Sequence, residues 1–566
     1  MNYKKIDVAI IGSGWSGLYA AKYAKNKGLK VAILEKRDCI GGVWNYTRDE
    51  NFITVMKSTV SSSSRLVTEA SDFPMKKEDG NFFGHQKVVQ YLEDYCEKFN
   101  LKSDIIFNFS VRKADKINGF WHIISENGDL VVADKIVVAC GVHQKKRKIS
   151  GPVSEFNGIV HHSGDFKDFD EVEFSEQDHV IVYGGGETAS DIIDELVKKK
   201  CQITWAIRGG QHFFRKTAKR YSQIPGEYDL HGEALDEQST FIHKLFTNFA
   251  KGKPGMRWGC NFSSQRSVLS YQGHGLKHWM NDIPWYHAFF NKNGHSVDHV
   301  YTGRVVAKPG ITKCYSDSSG DLVEFNDGTK VKATHIICCF GYEPGLEFLP
   351  ENIRKTDTSL NYKLIFNPDD PTVSFIGYAR PIISSIPFIS EAQCEYASLF
   401  WANKIQLPSS KEMKEIAIKD LKDRESYFLN KYENKNIVVH TIYISDIMKC
   451  VYGISFQEKY LNIIKSNIRY AGKLFGFPFT PAMFELFRNG KITDQFRERL
   501  EKNSFPTIPA LSFFPKNSIS YLFYGIFAIL IPRILRIDDI SDYFAKKRMQ
   551  KYGNFKKSKL GKDGVK

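Results

Sequence analysis

No Cys-x-x-Cys pair occurs among the ten cysteines, and none has the spacing of a structural zinc site. The chain therefore lacks the mark of a dithiol redox centre and of a zinc-stabilised small domain. Its scattered cysteines, with Cys338 and Cys339 adjacent, are expected to be reduced and buried or incidental, as in a reducing compartment. No secretory leader is expected either, because "KKIDVAIIGSG" enters an apolar strand almost at once. Long hydrophobic runs are absent too. The longest, Ile519–Ile531, stops at Pro532 after 13 residues, whereas a helix that spans a bilayer needs about 20.

That run is either a buried helix or an interfacial one assisted by the basic tail behind it. The tail Ser541–Lys566 holds nine Lys/Arg against two Asp, which is +7 of the net +15. The body is then only mildly basic, which argues against a nucleic-acid partner. The expected location is cytoplasmic, with the cytosolic face of a membrane as the alternative. The sequence does not specify an oligomeric state. With 566 residues, 42% apolar and 25% charged, the chain has the composition of a globular protein of two to four domains of roughly 150 residues each.

"IDVAIIGSGWSGLYAAKYAKNKGLKVAILEK" reads as strand, tight turn, helix, turn and strand. Gly12, Gly14 and Gly17 form Gly-x-Gly-x-x-Gly, with Ser13 inside the turn. Such glycines allow the turn, the approach of a pyrophosphate and close helix packing, while the helix N-terminus offers N–H groups to phosphate. Glu35, followed by Lys36, ends the second strand, where an acid accepts from a ribose hydroxyl. "CIGGVWNY" follows, and Gly42, Val43 and Trp44 read as a second loop against FAD.

"DHVIVYGGGETASDIIDELVKKKCQITWAIRGG" repeats the pattern with Gly184, Gly186 and Ala189. Thr188, Ser190 and Asp191 fill out the start of its helix. The next strand ends in Arg208 instead of an acid, which suits the 2′-phosphate of NADPH, although a solvated arginine at a strand end is the bland alternative. Two such loops imply FAD and NADPH as cofactors, with hydride passing from nicotinamide to flavin.

Between the loops lies "FNGIVHHSGDFK". Phe156, Gly158, His162, Phe166 and Lys167 match F-x-G-x-x-x-H-x-x-x-[YF]-[KR]. This resembles the fingerprint of the flavin-containing monooxygenases, among the class B flavoprotein monooxygenases. "GSGWSG", "GGVW", "DFP", "CCFGYEPG" and "IGYARPIISSIPFISEAQ" resemble other segments of that family in order, over roughly residues 4–420.

The resemblance implies an α/β fold of two Rossmann-like dinucleotide-binding domains, with the NADPH domain inserted in the FAD domain and a helical C-terminal extension. The expected boundaries are 1–165 for the first part of the FAD domain, 166–329 for the NADPH domain with a cap-like insertion, 330–440 for the second FAD part, and 441–566 for the extension. It also implies a linking role for His162 between the nucleotide domains, and flavin contacts from Gly341 and Tyr342. Gly158 is expected to permit a bend, with Phe156 and Phe166 anchoring either side. The aromatics of 218–300, namely Trp258, Tyr271, Trp279, Trp285 and Tyr286, are expected on the substrate side.

The implied activity is that of an NADPH- and O2-dependent monooxygenase whose flavin C4a-hydroperoxide oxygenates nitrogen or sulfur in a small molecule. Two departures stand out. The family places a catalytic asparagine in a segment like K-S-x-F-x-N-S-S, and here "KSTVSSSSR" puts Ser62 at that position. Ser61 and Ser62 are accordingly the candidate catalytic residues, with Ser63 beside the cofactor; a polar turn without a role is the alternative. The family's A-T-G-Y reads "CFGY" here. A Baeyer–Villiger monooxygenase shares both loops but carries tryptophan at the place of Phe166. A single-component flavin halogenase of this fold fits the missing asparagine, and "WMNDIPW" only partly matches the tryptophan-halogenase motif.

Overall fold

The structure, a computed structural model, describes residues 5–209, 211–217, 226–238, 279, 291–318, 320–427, 435–506 and 515–525. Two parallel sheets organise them. The first runs in the order Ile105–Ile106, Val31–Leu34, Lys5–Ile11, Leu130–Val138, and then turns antiparallel through Phe120–Ser125 and Val111–Ile117. The strand Leu130–Val138 changes partner midway along one edge. Ala133 faces Trp121 of the antiparallel hairpin, while Ile136 faces Val373 of the parallel strand Val373–Phe375.

The short apolar strands follow from burial on both faces. In Val31–Leu34, Val31 and Ile33 enter one core cluster and Ala32 and Leu34 the other. The first of these clusters also takes in the helices Trp15–Lys25, His85–Lys98 and Ile386–Trp401.

The second sheet is parallel throughout, in the order Val306–Lys308, Gln202–Ala206, His179–Tyr183, His335–Cys338, Ile159–His162. Val180 and Val182 point to one face and Ile181 and Tyr183 to the other, as a period of two requires. This sheet draws strands from both sides of the expected boundaries at 165/166 and 329/330. The chain passes between the sheets through a two-stranded antiparallel ribbon, Lys145–Lys146 outbound and Tyr342–Glu343 returning.

The chain does bend at Gly158, and glycine is needed there for space. Its φ lies outside the left-handed region, and a Cβ there would meet the Phe156 ring at 2.6 Å and Thr334 O at 2.8 Å. Phe156 and Phe166 do anchor opposite faces of the second sheet, one in each of its clusters. Trp279 departs from the substrate-side expectation: it is 2% exposed, 5.0 Å from Trp205 between ring centres, and its Nε1 donates to Lys308 O at 2.8 Å. Trp258, Tyr271, Trp285 and Tyr286 lie outside the described residues.

The C-terminal helices His440–Tyr452, Phe456–Ser466, Ala482–Asn489 and Asp494–Asn503 are part of the first core. Arg488 fastens them: its Nη1 donates to Tyr23 OH at 2.8 Å and Glu395 Oε2 at 2.9 Å, and its Nη2 to Ser71 Oγ. Arg488→Ala leaves buried Glu391 and Glu395 without that cation, a loss worth about 3 kcal/mol. Urea unfolding should show it, whereas Lys502→Ala, which breaks an exposed, solvent-screened pair with Glu498, should leave stability nearly unchanged.

Candidate functional site

Strand Lys5–Ile11 ends at Gly12, which has φ 104° and no room for a Cβ, since Ala139 O would lie 2.8 Å away. Gly17 is tighter still: a Cβ would sit 1.9 Å from Gly12 O, so the helix lies directly on the turn. Glu35, 5% exposed, accepts from Ser13 N at 2.8 Å and Ser13 Oγ at 2.7 Å through Oε2, and from Arg37 N at 3.0 Å through Oε1. The acid is thus locked onto the loop.

A cavity of about 280 Å³ opens here. Gly12, Gly14, Glu35 and Lys36 line it together with Gly42, Val43 and Trp44, and His143, Gly377, Ile386 and Pro387 complete its walls. Gly42–Trp44 form a single helical turn. Lys36 Nζ donates to Gln144 Oε1 at 2.9 Å, and burial pulls its pKa down. Burial, with Arg380 nearby, takes His143 down to about 4, so that wall is neutral at physiological pH. Glycine at the tight points, an acid at the second strand end and apolar walls fit the dinucleotide part of FAD.

At the second loop, Gly184 has φ 146° and a Cβ would meet Cys339 O at 2.8 Å. Gly186 differs. Its φ is −80°, and a Cβ there meets nothing within 4 Å. The fold has no need of glycine at this point, whereas a pyrophosphate approaching the N-terminus of helix Glu187–Leu196 does. Thr188 is half-buried and Ala189 fully buried on that helix. Ser190 and Asp191 turn to protein partners: Ser190 Oγ accepts from Asn291 Nδ2 at 2.8 Å and Asp191 Oδ1 from Asn293 Nδ2 at 2.6 Å. Burial raises Asp191 to about 8. Arg208 is exposed just past strand Gln202–Ala206.

His162 ends strand Ile159–His162. Its Nδ1 accepts from Gly164 N at 3.0 Å, so the proton sits on Nε2, which donates to Gly341 O at 3.0 Å. Burial lowers its pKa, in keeping with a neutral ring. Gly341, at φ 77°, opens the returning ribbon strand, and the Tyr342 ring packs edge-on to His162 at 5.3 Å. His161 is stacked on His335 at 5.8 Å. Lys167 Nζ donates to Phe52 O at 2.6 Å and Thr54 Oγ1 at 3.3 Å, which ties this segment to the first unit.

The serines divide. Ser61 is 3% exposed and pairs twice with Phe83: Ser61 N donates to Phe83 O at 2.9 Å, and Ser61 Oγ accepts from Phe83 N at 3.1 Å. It holds the turn. Ser62 is half-buried beside it. Ser63 Oγ donates to Ser384 O at 2.8 Å and accepts from Lys292 Nζ at 2.9 Å. Among the described residues, Ser384 Oγ and Glu187 Oε1 are buried without a hydrogen-bond partner, as expected of groups that await a ligand.

Asn291, Lys292, Asn293 and Ser384 were not singled out by sequence. "NKNG" reads as an ordinary polar turn, and its one local signal is asparagine on both sides of a lysine.

A family model described as Flavin-binding monooxygenase-like matches residues 4–502. The chain is 24% identical over 504 residues to dimethylaniline monooxygenase [N-oxide-forming] 2 of Cavia porcellus, covering 86% of this chain and 89% of that protein. It is also 24% identical over 458 residues to 4-hydroxybenzoate brominase (decarboxylating) of Pseudoalteromonas luteoviolacea, covering 78% and 83%. In fold it is similar to cyclohexanone monooxygenase from Rhodococcus sp. Phi1 bound to NADP+, with a TM-score of 0.54 and 16% identity over 80% of this chain and 98% of that one.

Gly186→Ala should fold normally and keep its FAD, yet raise KM for NADPH about tenfold, because the added methyl occupies the pyrophosphate cradle. Steady-state kinetics and flavin content measured together check this. Gly17→Ala, by contrast, should lose flavin and stability alike.

Proposed function

The chain belongs to the flavin-binding monooxygenase-like family, and from that premise we propose that it transfers one oxygen atom of O2 to nitrogen or sulfur in a small molecule. It is an FAD- and NADPH-dependent monooxygenase. Bound NADPH supplies the hydride and bound FAD the reaction with O2. The protein binds, orients and dries these groups. The observation that carries the reading is the pair of glycine cradles, one opening into the cavity at Glu35 and the other left unfilled at Gly186.

In this proposal Gly12, Ser13, Gly14, Gly17 and Glu35 hold the FAD dinucleotide, with Lys36 and Gly42–Trp44 around it. Gly184, Gly186, Thr188 and Ala189 hold NADPH, with Arg208 on its 2′-phosphate. Ser190 and Asp191 support that loop from behind through Asn291 and Asn293. Ser62 and Ser63 face the flavin's reacting end, and Ser61 fixes their turn. The second unit is best bounded by the ribbon, so that it starts after Lys146 and ends before Tyr342.

A second reading is halogenation of a phenol. It is favoured by the serine at the position of the family's asparagine and by likeness to a protein named as a brominase. The exposed face of helix Ser518–Gly525, with Ile519 78%, Leu522 49% and Phe523 47% exposed, supports peripheral contact with a membrane surface. No helix among the described residues is long and apolar enough to cross one.

NADPH consumption with product identification, across amines, sulfides, ketones and phenols with and without bromide, tests the assignment. An N- or S-oxide is expected. A brominated phenol would shift it to the second reading, and an ester from a ketone would overturn it. Arg208→Ala should raise KM for NADPH about tenfold and leave KM for NADH unchanged; equal effects on both would remove the phosphate role. Truncation before Ser518 should reduce recovery with membranes on fractionation, and unchanged partitioning would reject membrane contact.

A further inference from the structure

Lys292 belongs to one nucleotide unit by its backbone and to the other by its side chain. Asn291 Nδ2 donates to Gly185 O at 3.1 Å and Ser190 Oγ at 2.8 Å. Asn293 N donates to Asn291 Oδ1 at 2.7 Å, and Asn293 Nδ2 to Asp191 Oδ1 at 2.6 Å. Both asparagines are buried, at 0% and 1% exposure. Flanked by these anchors, Lys292 is fixed to the second glycine loop and its helix. Its Nζ nevertheless donates to Ser63 Oγ at 2.9 Å and Ser384 O at 3.3 Å, in the first unit.

Three observations mark its destination as a reaction centre. Ser384 has φ 93°, a strained conformation for a non-glycine residue. Among the described residues, Ser384 Oγ and Glu187 Oε1 are buried and have no hydrogen-bond partner. Finally, Ser384 stands two residues before Ile386, which with Pro387 walls the flavin cavity.

The chemistry of the group suits this place. An ammonium has three donors. Two are spent on neutral oxygens, and among the described residues the third has no acceptor. The charged groups facing it are Glu187, Asp236, Arg380 and Lys216. Burial lowers its pKa, so it releases a proton more readily than a surface lysine. Ser62, at the family's asparagine position, can donate only a single bond.

We propose that Lys292 is the proton donor of the oxygen-reaction centre, delivered by the second nucleotide unit. The inference rests on the monooxygenase reading. Each turnover takes NADPH, H+, O2 and substrate to NADP+, oxygenated substrate and H2O. The hydride carries two electrons to the flavin. One oxygen atom bonds to the substrate heteroatom and the other leaves as water. The proton consumed passes through the Lys292 ammonium, which regains one from solvent.

The test compares wild-type, Lys292→Met and Lys292→Arg holoenzymes at equal FAD content. In the first measurement, visible flavin absorbance is titrated from about pH 6 to about pH 10.5. Wild type should show a step below the ordinary lysine value of about 10.4, absent from both variants. In the second, product and peroxide per NADPH are measured with N,N-dimethylaniline as probe. Wild type should lose product to peroxide as rising pH strips the ammonium. Lys292→Met should make about tenfold less product per NADPH than wild type at the low end of the pH range, with no further fall as pH rises. Lys292→Arg, which keeps its charge, should recover part of that yield with a flat pH profile. A wild-type titration step and wild-type product yield in Lys292→Met would overturn the proposal. Failure of wild type to oxygenate the probe counts against the proposed function instead, and the absorbance titration still decides whether Lys292 stands beside the flavin.

Discussion

Hydride moves only between atoms in near contact, about 3–3.5 Å apart, so two nucleotides bound on separate sheets must meet at one shared edge. In this molecule a short set of part-buried hydrogen bonds helps to fix that edge, one inside the second unit and two from it to the first. His162 reaches Gly341 O where the ribbon returns, and Lys167 grips Phe52 O and Thr54 Oγ1. Because His162 Nδ1 already accepts from Gly164 N, protonation of that nitrogen would break the bond that orients the ring. Burial, which keeps the ring neutral, therefore also keeps the link intact. Lys167 is brought down to about 8, first by burial and then by neighbouring cations, and its two acceptors are neutral oxygens.

Both glycine loops were legible because every feature of a strand–turn–helix nucleotide cradle is local. Spacing of a few residues specifies Gly12, Gly14 and Gly17, and the acid at Glu35 follows one helix later. Sheet membership was less legible. The strands Ile159–His162 and His335–Cys338 read as edges of the first unit by position, yet they pair with each other and with His179–Tyr183. Parallel strands buried on both faces look alike in sequence, so pattern alone does not assign them to a sheet. Within the serine run, Ser61 differs from its neighbours by its pairing with Phe83, which no local pattern announces. Lys292 was beyond reach, since its contact with Ser63 spans 229 residues and no periodicity encodes it.

The helical extension has a similar dependence on distant contacts. Helix Trp15–Lys25 meets the first turn at Gly17, and Tyr23 on the same helix accepts from Arg488. Tyr23 in turn donates to Glu391 Oε1 at 3.0 Å, and Glu391 accepts from Ser71 N. The helix that offers its N-terminus to phosphate is thereby braced from behind by residues near 390 and 490. A nucleotide cradle needs that rigidity, because a shift of about 1 Å in a reacting group is costly in rate.

Where the oxygen-side donor comes from decides when it is present. A donor carried on the serine turn is in place whenever the first unit folds. A donor carried at Lys292 is in place only when the second unit is seated, because its backbone is bound to Gly185, Ser190 and Asp191 through Asn291 and Asn293. The same loop is the proposed pyrophosphate cradle, so in this proposal nucleotide binding and donor placement draw on one set of hydrogen bonds. On the proposal that Lys292 supplies the proton, that supply belongs to the unit carrying the second glycine loop and not to the serine turn, and its placement depends on Asn291 and Asn293.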